Sequence, residues 1–179
     1  MKRTIVIEKL LPHPRELVWR ALTDSRLLGN WLMENDFEPK LHHAFTFQMK
    51  PQRGWDGLTH CEVIELEPPR RIAYTYRGEA TGEKPLACAS AVGLLPKKIE
   101  GRARGAGKGI FAKLDTVLRI TLTPDGGLGL EERTRLRLEH EGFEGAKLVA
   151  VSFVMGLGWK HRVLPRLETV LGRIRAGLV

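Results

Sequence analysis

Cysteine is nearly absent from this chain, with two in 179 residues, Cys61 and Cys88. They match neither a disulfide framework nor a metal-ligand spacing, so a reducing cytoplasm is the expected compartment. Long hydrophobic runs are missing as well. No window approaches the roughly 20 apolar residues of a membrane span. The nearest, Leu148 to Leu157, is too short, and the opening MKRTIVIEKLLPHP is too interrupted for a signal peptide. Acidic residues are the minority charge, 21 against 29 Lys and Arg, which gives a net charge of +8. Half of that excess falls between residues 78 and 114, where seven basic residues face three glutamates. Aromatic residues are only 7% of the chain, and Phe111 is the only one between residues 97 and 113. Base stacking has little to work with there, so nucleic acid is not an expected partner.

What the sequence does contain is a long amphipathic C-terminus. On a wheel of about 100° per residue, Trp159, Val163, Leu164, Leu167, Val170, Leu171, Ile174 and Leu178 share an arc of roughly 140°. Arg162, Arg166, Glu168, Arg173 and Arg175 lie outside it, as do Pro165 and Gly172. An apolar face this broad needs a partner. Ala146 to Met155 reads as the first part of the same helix, with a strand as the alternative.

Most of the remaining elements read as strands. Thr4 to Leu10 alternates weakly and stops at Pro12 and Pro14. Arg15 to Leu22 is helical, and Asp24 or Ser25 caps a short second helix, Arg26 to Trp31. Phe45, Phe47 and Met49 alternate with polar residues. Leu58 to Leu66 ends at Pro68 and Pro69. Ile72, Tyr74 and Tyr76 share one face of a strand, as do Leu118, Ile120 and Leu122, and Thr134, Leu136, Leu138 and His140. Pro124 to Gly127 joins the last two as a hairpin turn, and Gly142 closes the final strand. The order is strand, two short helices, about five further strands and one long helix. That is an α+β domain with an antiparallel sheet, in one domain spanning residues 1–179. Residues 78–114 form a basic, Gly- and Ala-rich insertion between two strands. Gly105 to Gly109 looks like a phosphate loop, but Arg102 stands where it needs glycine and Gly109 where it needs Ser or Thr.

Several motifs in series resemble a known superfamily. They are Pro14 to Asp24 (PRELVWRALTD) with Trp31, then Gly57, and Cys61 to Ile72 (CEVIELEPPRRI) leading into Tyr74 and Tyr76. Thr121 to Pro124, Thr134 to Leu136 with His140 and Gly142-Phe143, and Gly158-Trp159 complete the series. Over residues 3–77 and 115–176 the chain is similar to the START-like, helix-grip (SRPBCC) superfamily. Its branch resembles the C-terminal domain of the Hsp90 ATPase activator. The resemblance implies a curved antiparallel sheet of six or seven strands wrapped around the long C-terminal helix, with a cavity between them. It also implies binding of apolar molecules in most members and catalysis in a minority.

The expected site is therefore the space between sheet and helix. Its walls would be Trp31, Phe45, Phe47, Leu118, Ile120, Leu136, Leu138, Trp159, Val163 and Leu167. Tyr74, Tyr76 and His140 would supply the polar contacts. For the tyrosines the other reading is core packing. For His140 the other reading is a structural histidine satisfied inside the fold. No metal or other cofactor is expected, because the adjacent His42 and His43 point to opposite faces of a strand and His60 has no ligand partner at suitable spacing. No nucleophile or acid–base pair stands out. The expected function is binding of a small apolar or aromatic molecule. The alternative is a co-chaperone-like interaction module whose residues 97–113 contact an acidic partner. A cyclase- or hydrolase-type enzyme is a third reading.

Overall fold

The structure is a computed structural model and describes residues 1–50, 57–78, 114–127 and 132–179. The expected insertion, apart from Gly78 and Leu114, lies outside the described residues, and so does the proposed contact segment 97–113.

Seven strands form one antiparallel sheet. They are β1 (Lys2–Leu11), β2 (Glu34–Asn35), β3 (Ala44–Gln48), β4 (Leu58–Glu67), β5 (Arg71–Gly78), β6 (Asp115–Pro124) and β7 (Thr134–Glu144). Their spatial order is β1-β7-β6-β5-β4-β3-β2. The first strand therefore closes against the last, and β2 is a two-residue edge too short to show a period. Helices α1 (Arg15–Thr23) and α2 (Ser25–Trp31) follow β1. The Asp24 side chain accepts from the backbone N–H groups of Arg26 and Leu27 at 3.0 and 3.2 Å, so α2 is capped by the residue whose type suited it.

Alternation decides which face is buried. Leu136, Leu138 and His140 of β7, Leu118, Ile120 and Leu122 of β6, and Ile72, Tyr74 and Tyr76 of β5 all turn inward and are buried. The outer face carries charge across strands. Arg119 bonds Glu65 at 2.7 Å and Glu141 at 3.2 Å, and Arg137 bonds Glu8 at 2.7 Å. Such half-exposed pairs add little stability, but they fit the outward register of the strands. Gly142 lies within β7 and does not close it. Its φ is +101°, and a Cβ there would stand 2.9 Å from the Asp115 carbonyl oxygen. Glycine is required because the two backbones touch.

The C-terminal helix is continuous but not uniform. It runs as α3 (Gly145–Gly158), a π-helical turn (Trp159–Val163) and α4 (Leu164–Arg175). The turn has a local cause. Pro165 has no N–H, and its ring would clash with the carbonyl of residue 161 in a regular helix. The N–H of Leu164 reaches back to the Trp159 carbonyl instead, five residues away. In α4, Leu164, Leu167, Val170, Leu171 and Ile174 are buried, as the wheel predicts. Leu178 is 72% exposed, because the helix has already ended.

Candidate functional site

A cavity of about 350 Å³ opens beside the middle of the long helix. The helix contributes Met155, Gly158, Trp159, Arg162, Val163 and Arg166 to its wall. The sheet contributes Thr59, Tyr76 and Gly78, from the end where β5 finishes and β4 begins, with Met49 just past β3. Leu32 and Met33, after α2, and Leu114, before β6, complete it. Most of this wall is apolar. The Tyr76 hydroxyl bonds to Thr59, and burial raises the phenol above its usual range, so it stays neutral.

Behind Trp159 lies His140, with no exposed surface. Its Nε2 is 2.8 Å from Thr116 Oγ1, and the Thr116 hydroxyl donates to the Tyr76 carbonyl at 2.9 Å. That single hydroxyl proton is thus spent, so Oγ1 accepts from His140 Nε2–H. The Trp159 indole N–H donates to Nδ1 at 3.3 Å. One neutral tautomer satisfies the whole relay from Trp159 through His140 and Thr116 to the Tyr76 carbonyl. Burial pushes the imidazole down to about 3, so it carries no charge near neutrality. In this arrangement neither ring nitrogen is free to contact a ligand or take a proton.

The thirteen expected site residues separate into groups. Tyr76, Trp159 and Val163 line the cavity. Phe45, Phe47 and Tyr74 pack edge-to-face and tilted behind Tyr76, with ring centroids 5.2 Å apart for Phe45 and Phe47 and 6.2 Å for Phe47 and Tyr76. Trp31 is buried, and its indole N–H donates to the Ala21 carbonyl at 2.9 Å. Leu118, Ile120, Leu136, Leu138 and Leu167 are packed core. Inward alternation therefore selects buried residues correctly but does not tell a filled layer from an open one.

A family model described as activator of Hsp90 ATPase homolog 1-like protein matches residues 12–172. The chain belongs to this family. A crystal structure of a Mesorhizobium loti protein is 30% identical, covers 96% of this chain and 98% of its own, and superposes with a TM-score of 0.68. A solution structure from Bacillus halodurans is 20% identical over 96% and 99% of the two chains, with a TM-score of 0.63. A Nitrosomonas europaea protein is 18% identical over 96% and 95%, with a TM-score of 0.61. The last two show the fold alone. No curated protein matches.

In this member of the Hsp90 ATPase activator homolog 1-like family, the wall includes residues that sequence reasoning passed over. Thr59, Met155 and Gly158 offer no local signal. Arg162 and Arg166 do, since the wheel places them at the polar side of an otherwise core-facing helix. The π-helical turn, which contains Arg162 and precedes Arg166, changes the phase of the helix at this point, which a constant 100° step does not anticipate. Among the described residues, no group of His, Cys, Asp and Glu is arranged to hold a metal ion. No described helix is long and apolar enough to cross a membrane.

Proposed function

We propose that this protein binds one small, largely apolar molecule in the cavity between the middle of the long helix and the β4–β5 end of the sheet. The observation that carries the reading is the cavity itself. Its volume of about 350 Å³ lies within the roughly 300–1,000 Å³ of ligand sites. The fold commonly binds hydrophobic ligands, which supports the same reading. The reading is binding and not turnover. Among the described residues, the wall carries no carboxylate, imidazole or thiol, and the imidazole of His140 behind Trp159 is neutral and fully bonded. Titration with the neutral dye Nile red tests this. Saturable binding at one dye per native chain is expected. Native protein that binds no dye would sink the proposal.

A second reading, an interaction module, is favoured by one surface. Phe153, Val154 and Leu157 of α3 are 56–67% exposed and lie along one face. Serine at all three positions should leave Nile red binding intact if the cavity is the functional site. A loss of function in the host with unchanged dye binding would favour this module instead.

A further inference from the structure

We infer that the ligand carries a compact anionic head on its apolar body, and that Arg162 and Arg166 hold the head at the cavity mouth. This rests on the cavity being a binding site. Both arginines line the cavity and both are exposed, whereas no Asp or Glu among the described residues lines it. Neither arginine has a hydrogen-bond or ion-pair partner among the described residues. The strands treat their arginines differently. Arg77 is held by Asp115, Arg119 by Glu65 and Glu141, and Arg137 by Glu8 and Glu139.

The interior shows where the head must go. Tyr76 is engaged with Thr59, and the Trp159 indole N–H with His140. Deep in the cavity the indole N–H is spent and one of the two hydroxyl protons is used in the Tyr76–Thr59 bond, so a charged group there would lose its water for at most one neutral donor. At the mouth, two guanidinium groups about one helical turn apart remain uncommitted. Each presents a planar set of N–H donors that matches a carboxylate or phosphate in a fork. An amphiphile oriented head-out satisfies both halves. At the ~30 Å³ that a water takes in the liquid, the cavity encloses about a dozen heavy atoms, and because it opens to solvent the rest of a larger guest such as Nile red can project from its mouth. A medium-length acyl chain or a small fused aromatic acid is of that size.

The test is calorimetric titration of the full chain with decanoate, decyl phosphate and decan-1-ol. It compares wild type, the double variant Arg162→Gln with Arg166→Gln, and Arg173→Gln, an exposed arginine of α4 that does not line the cavity. At least one anion should bind about tenfold tighter than the alcohol. That preference should vanish in the double variant, shrink with added salt and persist in Arg173→Gln. The tighter anion identifies the head group. Alcohol binding as tight as either anion would overturn the anionic head and leave the cavity standing. So would a double variant that keeps the preference. Failure of all three probes and of Nile red would overturn the binding reading itself, and this inference with it.

Discussion

The two halves of the C-terminal helix meet the same sheet and do opposite things with it. In α4, Leu164, Leu167, Val170, Leu171 and Ile174 recur at helical spacing and are buried, and the helix packs on α1 and α2. In α3, only Val151 and Ser152 are buried, while Phe153, Val154 and Leu157 stay exposed on a helix that is apolar nearly all round. Along α4 the leucines join Leu11, Leu122 and Leu136 in the buried core, and the layer is filled. Around Gly158 and Trp159 it is not, and the cavity lies there. Apolar character alone does not make a core. Volume at each position does, because a filled layer gains dispersion and an unfilled one keeps room for a guest.

The sharpest way to break this contrast is truncation at the two ends. Leu167 has no exposed surface, and Leu167→Ala should cost about 2–5 kcal/mol of unfolding free energy. Val163→Ala, at the half-buried cavity wall, should cost on the order of 1 kcal/mol or less. Chemical denaturation measures both. Near-equal losses would mean that the middle of the helix is packed as tightly as its end.

His140 stands between the two regions, and its effect is set by pH. The unfolded imidazole titrates near 6.5 and the folded one near 3. Between those values the unfolded chain binds the extra proton. Stability from this group is therefore full above about pH 6.5 and is lost as pH falls toward 3. The slope approaches 1.4 kcal/mol per pH unit, or about 2 kcal/mol between pH 6.5 and 5. His13, lowered by burial and by Arg175, acts in the same direction. His140→Asn should be less stable at pH 7 and should flatten the slope by close to one proton. An unchanged slope would show that the relay through Thr116 and Trp159 does not hold in solution.

Much of the fold was legible because two-residue alternation and helical spacing are strong where one face is buried. The order of elements, the cap at Asp24 and the buried stripe of α4 all follow from that. The π-helical turn was less so. Pro165 lies on the polar side of the wheel, but a wheel treats proline as one more side chain and ignores its missing N–H. The site was legible only in part. Tyr76 and Trp159 could be found from inward alternation and the apolar arc. Tyr74, Leu118 and Leu138 follow the same rule and end in packed layers, since period fixes direction and not the space in front of a side chain. His140 followed the rule as well. Its satisfaction depends on Thr116, on the neighbouring strand β6, and on Trp159 in the C-terminal helix, and no local pattern pairs those residues.

The smallest change in stability should accompany the most selective test of the open region. Gly158 sits at the cavity wall with ordinary helical backbone, φ −59° and ψ −47°, and a Cβ built there meets nothing within 4 Å. A larger residue needs no backbone adjustment at this position. It also removes the entropy cost of glycine in a helix, roughly 0.5–1 kcal/mol. Gly158→Phe should therefore leave the unfolding free energy unchanged or raise it by up to about 1 kcal/mol. Its ring would take space that the proposed ligand needs, so Nile red binding should weaken at least about tenfold, which corresponds to ~1.4 kcal/mol. A core position behaves oppositely, since an added ring in a filled layer costs about 1–3 kcal/mol through overpacking. A Gly158→Phe variant that loses stability and keeps its dye would show that the guest sits elsewhere and that the wall at Gly158 closes in solution.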